Sequence, residues 1–261
     1  MNDKRYYFLS GFPRSGNTLV SSILNQNPDI CVYGNSILSE IFLDIEFKKH
    51  HNQLVLNFPD TRCLENISHK LFENYYSHIN CKYIIDRSCW TTEQHSAILK
   101  KYCPNNIRII FLYRDIIEIL ASFIKWSSEN KTFLDNFKTL EEKCDYLMSR
   151  DGPIMKHYIS IQNLINQKND LPCMFISYNE IVSDTKNVIQ KIYSFFNIEF
   201  FQHNLEKIEQ YSVNGVYYDD SIIGDNLHRL RNTIKKDNYD MREYLTEEII
   251  SFYKNLNITV I

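Results

Sequence analysis

Apolar positions along the chain switch between two periods. Tyr6-Tyr7-Phe8-Leu9-Ser10 is a short continuous run, too short for a helix, and it predicts a buried strand. Past a glycine-containing loop the spacing becomes helical, with Leu19, Val20, Ile23 and Leu24 recurring until Asn27-Pro28 ends it. Ile30-Cys31-Val32-Tyr33 and Lys82-Tyr83-Ile84-Ile85 predict two more strands, the second ending at Asp86-Arg87, with helical spacing between them through 37–47 and 64–76. Thr91 with Gln94 reads as a capping box opening a helix to about Tyr102. Ile107-Arg108-Ile109-Ile110-Phe111-Leu112-Tyr113 is the strongest strand, nearly continuous in apolar residues as central parallel strands are. Asp115 and Glu118 then cap a helix to about Ser128.

Further on, Cys173-Met174-Phe175-Ile176-Ser177 predicts a strand, and Ile189, Ile192, Phe195 and Phe196 a helix behind it. The polar segment 212–238, with Gly215 and Gly224, reads as a loop or flap, and Thr246 caps a last amphipathic helix. Strand–helix alternation of this kind specifies an α/β fold, a central parallel sheet with helices on both faces. No Gly-, Ser- or Pro-rich linker divides the sequence, so a single domain over residues 1–261 is expected.

Composition narrows the function. The 29 basic and 32 acidic residues give a net charge of -3, which argues against a generic nucleic-acid binder and makes any polyanion recognition local. Seven cysteines without a C-x-x-C pair, and no signal-peptide pattern, point to reduced thiols in the cytoplasm. No apolar stretch reaches the roughly 20 residues of a membrane helix. No His, Cys and carboxylate set shows metal-ligand spacing, so no metal is expected.

Two segments carry candidate chemistry. Gly11-Phe12-Pro13-Arg14-Ser15-Gly16-Asn17-Thr18 joins a predicted strand to a predicted helix, where successive backbone N–H groups and the helix dipole can cradle an anion. Its glycine spacing is that of a P-loop, G-x-x-x-x-G, but Asn17 stands where a nucleoside triphosphatase has lysine. Arg114 ends the strongest strand, at the ligand edge of an open parallel sheet, and Ser122 comes eight residues later on the helix.

Phe12-Pro13-Arg14-Ser15-Gly16-Asn17-Thr18-Leu19 resembles the 5′-phosphosulfate loop of sulfotransferases that use 3′-phosphoadenosine-5′-phosphosulfate (PAPS), and Leu24-Asn25-Gln26-Asn27-Pro28 is similar to the segment after that loop in bacterial and tyrosylprotein branches. The resemblance implies a P-loop-type three-layer fold and a donor site made by Arg14, Ser15, Gly16, Asn17 and Thr18, with Arg114 and Ser122 at the 3′-phosphate. In isolation, Arg114 paired with Asp115 or Glu118 on the helix face remains the alternative. Ser177-Tyr178-Asn179-Glu180 is similar to the family's nucleotide-contacting Tyr motif, although Tyr178 as core packing stays open. Leu227-His228-Arg229-Leu230-Arg231 resembles the loop whose basic residues cover the nucleotide, which adds His228, Arg229 and Arg231.

The implied reaction moves a sulfuryl group from PAPS to an acceptor hydroxyl on a carbohydrate, small molecule or peptide tyrosine, releasing adenosine 3′,5′-bisphosphate. Arg14 and Arg87 would stabilise the leaving group, with a salt bridge from Arg87 to Asp86 or Glu93 as the alternative. For the general base, Asp86 is the first expectation, Glu40 the second and His228 the third, because the positions where relatives carry Glu or His hold Gly34-Asn35-Ser36 and Asp86-Arg87-Ser88. A P-loop kinase or nucleoside triphosphatase, and an inactive nucleotide-binding protein on the same fold, are the competing classes.

Overall fold

The computed structural model describes residues 4–34, 36–166, 171–210, 212–217, 228–230, 233–235 and 239–256. Five strands, β1 (Arg5–Gly11), β2 (Ile30–Gly34), β3 (Tyr83–Arg87), β4 (Ile109–Tyr113) and β5 (Cys173–Ser177), form one parallel sheet in the order β2-β3-β1-β4-β5. Around it run α1 (Asn17–Leu24), α2 (Leu38–His51), α3 (Gln53–Asn57), α4 (Arg62–Tyr75), α5 (Glu93–Tyr102), α6 (Ile116–Glu129), α7 (Leu140–Leu147), α8 (Met155–Asn166), α9 (Tyr178–Ser183), α10 (Thr185–Phe196) and α11 (Glu247–Tyr253).

The period-2 geometry of a strand divides β1 between two cores. Tyr7 and Leu9 pack with α1 and α10, including Val20, Ile23, Ile189 and Phe196. Tyr6 and Phe8 face the other way, toward Phe42, Phe72, Trp90 and Leu99 of the α2–α5 region. On that same side Phe111 joins the core of α6, α7, α8 and α11. Helices on both faces explain why β4 is apolar at consecutive positions, each such side chain contributing about 1.5–3 kcal/mol when fully buried.

The strand order places the site. From β1 the chain turns by α1 toward β2, whereas β4 continues to β5 on the opposite side. Loops leaving the carboxyl ends of β1 and β4 therefore diverge, and the crevice between them is where open α/β sheets take ligands. These are the loops that carry Arg14 and Arg114.

Three local expectations change. Thr91 does not cap α5; it is buried and its hydroxyl meets that of Ser160 on α8, so Thr92 serves instead, accepting from the His95 backbone N–H at 3.2 Å. Helices α7 and α8 were not predicted from apolar spacing. Within the polar segment, β6 (Ser212–Val213) and β7 (Val216–Tyr217) make a short antiparallel hairpin. No helix among the described residues is long and apolar enough to cross a membrane.

Candidate active site

The loop after β1 is shaped by two glycines. A Cβ on Gly11 would lie 2.6 Å from the Leu112 carbonyl oxygen on the adjacent strand, closer than carbon and oxygen approach. Gly16 takes φ 90°, the left-handed region, and precedes α1 without any side-chain cap, which leaves the first-turn amides of that helix for a ligand. Between them Arg14 also has a positive φ, 61°.

Two of the loop's polar side chains brace it. Ser15 is fully buried; its Oγ donates to the Phe12 carbonyl at 2.6 Å and lies 3.2 Å from that of Leu112. Its hydroxyl is thus engaged within the loop and with β4, and its backbone stays in the loop. Asn17 Nδ2 donates to the same Phe12 carbonyl at 2.7 Å, so the residue standing in for the triphosphatase lysine ties the loop to itself. Asn17 nonetheless lines the cavity, as do Arg14, Gly16 and Thr18.

The second cluster is fused to the first. Arg114, only 8% exposed, donates from Nε to Glu118 Oε2 at 2.8 Å and from NH1 to the Arg14 carbonyl at 3.1 Å. Arg14 in turn donates from Nε to Ser122 Oγ at 3.0 Å. Tyr178, the first residue of α9, lies with its ring 4.1 Å from the Arg114 guanidinium carbon, a cation–π contact. Asp115 caps α6 through the Ile117 and Glu118 N–H groups, at 2.8 and 3.1 Å. The Arg114–Glu118 pairing left open by the sequence is therefore present, and Arg114 and Ser122 still open into the cavity.

That cavity has a volume of about 830 Å³ and brings together Arg14, Gly16, Asn17, Thr18, Glu40, Arg87, Arg114, Ser122, Tyr178, His228 and Arg229. Arg87 approaches the loop, its NH1 donating to Thr18 Oγ1 at 3.5 Å, rather than Asp86 or Glu93. Glu40 is exposed in the first turn of α2. Arg231 lies outside the described residues, as does Asn35.

Asp86, the first expectation for the base, lies inside the core. It is 1% exposed, and its carboxylate accepts from Trp90 Nε1 at 2.8 Å, from Ser36 Oγ at 2.7 Å and from Tyr76 Oη in a short hydrogen bond. Burial pushes its pKa up to about 6, with the Tyr76, Trp90 and Ser36 hydrogen bonds opposing. With its oxygens occupied and its side chain on the opposite face of the sheet from Arg87, it holds Tyr76, Trp90 and Ser36 together.

The structure adds residues that sequence reasoning missed. Beyond Arg87 the cavity wall includes Ser39, Ser88, Gln94, His95, Lys156 and His157, and Lys125 lines it from α6. Ser39 and Ser88 share a 2.5 Å hydrogen bond. Burial lowers the pKa of both His95 and His157 to about 4, with the Lys156 ammonium adding to each, so both are neutral imidazoles at neutral pH. Among the described residues His95 Nε2 and His157 Nδ1 find no hydrogen-bond partner, and both atoms are buried. Among the described residues no group of three or more His, Cys, Asp or Glu is arranged to hold a metal.

The sulfotransferase domain family model matches residues 4–255, and the chain belongs to that family. A Caenorhabditis briggsae protein named as a protein-tyrosine sulfotransferase is 23% identical over 220 residues, 80% of this chain and 71% of its own length. Among solved structures, the sulfotransferase domain from the curacin biosynthetic pathway is similar at 15% identity and TM-score 0.59, covering 99% of this chain and 93% of that one. The mouse sulfotransferase SULT7A1 complexed with PAP is 16% identical with TM-score 0.59, covering 97% and 82%. At these identities the structural likeness establishes the fold.

Proposed function

We propose that this chain transfers the sulfuryl group of PAPS to an acceptor hydroxyl. The observation that carries the reading is the joining of the β1 loop to Arg114 and Ser122 in one cavity, which suits a nucleotide charged at both its 5′ and 3′ positions. The complex of the structurally similar mouse enzyme with PAP agrees with this donor.

In the reaction the acceptor oxygen forms a bond to sulfur while the bond from sulfur to the 5′-phosphate oxygen breaks. Adenosine 3′,5′-bisphosphate leaves, and the hydroxyl proton passes to a base. Negative charge grows on the leaving phosphate, where loop amides, Arg14, Thr18 and Arg87 would stabilise it. With Asp86 locked away, we assign the proton to Glu40, which is exposed and lines the cavity. His228 and Arg229 also line the cavity and would close over the nucleotide.

On one wall Ser36, Ser39, Glu40, Ser88, Gln94 and Lys156 offer hydrogen-bonding groups beside Leu43 and Cys89, which suits an acceptor with polar substituents around its hydroxyl. We further take residues 1–261 as one domain acting in the cytoplasm, the seven unpaired cysteines suiting a reducing compartment.

The test has two arms. Adenosine 3′,5′-bisphosphate should raise the melting temperature where ADP with Mg²⁺ does not, and labelled sulfate should pass from PAPS to members of a sugar, lipid, phenol and peptide panel. Stabilisation by ADP alone would favour the kinase class, and nucleotide binding without transfer would favour the inactive one.

A further inference from the structure

Arg114 does not offer its full charge to an anion. Glu118 Oε2 lies 2.8 Å from its Nε, and a pair this close acts at a distance as a dipole. A phosphate monoester carries about -1.5 to -2 charges at neutral pH. Arg14, the other cation of the cluster, comes from the loop that serves the 5′ end of the donor and already donates from Nε to Ser122 Oγ at 3.0 Å. On the wall made by β4 and α6, a 3′-phosphate would therefore gain from a cation beyond the paired Arg114.

Lys125 stands on that wall. On α6, residues 118, 122, 125 and 129 keep helical spacing along one ridge, and Ser122, Lys125 and Glu129 all line the cavity. Its ammonium lies 4.7 Å from the centre of the Tyr239 ring and 5.9 Å from that of Tyr244. Tyr239 is anchored beside Arg114's partner, its hydroxyl donating to the Glu118 carbonyl at 3.5 Å. Aromatic faces hold a cation without neutralising it. Among the described residues no carboxylate forms an ion pair with Lys125, in contrast to Arg114.

We propose that Lys125 binds the phosphate on the 3′-carbon of the donor and sets the preference for nucleotides that carry it. Arg114 and Ser122 fix the position of that phosphate through directed hydrogen bonds. Lys125, beside two rings and three residues beyond Ser122, supplies a charge that no carboxylate among the described residues pairs. The assignment rests on the sulfotransferase reading above.

The experiment is calorimetric titration of the full chain with adenosine 3′,5′-bisphosphate and with adenosine 5′-monophosphate, which lacks the 3′ group. Lys125→Met keeps an unbranched stem against the rings while removing the charge. It is expected to bind the bisphosphate about tenfold more weakly, the scale of one charge-assisted hydrogen bond, and the monophosphate within about twofold of wild type. Lys125→Arg, which restores the charge, should recover most of the loss. Unchanged bisphosphate affinity in Lys125→Met overturns the assignment, as does equal weakening of both nucleotides, which would make Lys125 a structural clamp. Wild-type protein that binds the monophosphate as tightly as the bisphosphate also overturns it while leaving the 5′ loop intact. Wild-type protein that binds neither overturns the sulfotransferase reading itself.

Discussion

Arg14 donates from Nε to the Ser122 hydroxyl at 3.0 Å, so a residue of the β1 loop is held by one that lies 108 positions later on α6. Arg114 returns the tie by donating to the Arg14 carbonyl at 3.1 Å. The loops on either side of the crevice are thus fixed to each other before any nucleotide arrives, which lowers the ordering cost of binding. Removing the hydroxyl should be felt at both ends of the donor. Ser122→Ala is expected to weaken adenosine 3′,5′-bisphosphate about tenfold and adenosine 5′-monophosphate about twofold, because Arg14 loses its anchor. Calorimetric titration with the two nucleotides measures both, and an unchanged bisphosphate affinity would reject the arrangement.

Gly11 offers a test of the loop's backbone. A methyl group there would sit 2.6 Å from the Leu112 carbonyl oxygen and 2.9 Å from Asn17 Oδ1. Neither β1 nor β4 can withdraw easily, since they pair in register from Phe8 with Ile109 to Gly11 with Leu112. Gly11→Ala is expected to cost about 2 kcal/mol or more of folding stability and to reduce nucleotide affinity together with it. Urea denaturation beside nucleotide titration checks this; a stable variant with normal affinity would show that the close approach is not required.

The contrast between Arg87 and Asp86 shows what the sequence makes legible. Both end a strand that apolar spacing identifies, and adjacent strand residues face opposite sides of a sheet. Parity alone puts Asp86 with Ile84 and Arg87 with Ile85, but not which side meets the cavity; that depends on what covers each face, Phe42, Phe72 and Leu99 on the Ile84 side and Val20, Ile23 and Ile189 on the Ile85 side. Arg14 and Arg114 were readable because each sits at the carboxyl end of a strand, where topology alone decides the ligand edge. Lys125, His95 and Lys156 were not, because a helix has several faces and its orientation is set by distant partners. Helix α7 had a signal that apolar spacing overlooks: Thr139 and Glu142 form a reciprocal capping box.

Asp86 should now act on stability. Its folded pKa of about 6 lies above an unfolded value of about 3.9, so its stabilisation is complete below about pH 4 and is lost as pH rises through about 6, on the order of 3 kcal/mol in all. Asp86→Asn keeps an acceptor for Trp90 and removes that pH dependence. Asp86→Ala strands the Tyr76, Trp90 and Ser36 donors and should cost about 3 kcal/mol or more at neutral pH. Bisphosphate affinity in Asp86→Asn should stay within about threefold of wild type, because the carboxylate does not enter the cavity. Denaturation at several pH values and nucleotide titration separate the two effects; a variant that stays as stable but loses turnover would return Asp86 to the chemistry.

His95 titrates with the opposite sign. It is 4% exposed, Nδ1 meets Thr92 Oγ1 at 2.7 Å, and burial with the nearby Lys156 ammonium holds its pKa to about 4, opposed by the Ser39 backbone. The unfolded imidazole titrates near 6.5, so the stability that its neutrality contributes is complete above that value and is lost as pH falls toward 4; at pH 5 about 2 kcal/mol has gone. His157, lowered likewise, adds to the loss, whereas Asp86 gains stability over the same descent. Two histidines against one aspartate leave a net weakening in acid. The raw melting curve therefore blends opposing contributions, and the difference between wild type and His95→Gln isolates one of them. That difference should shrink by about 2 kcal/mol between pH 7.5 and pH 5, because the glutamine has no proton to gain. A difference that stays constant across the range would mean that His95 is already solvated, with water reaching its unpartnered Nε2 from the cavity.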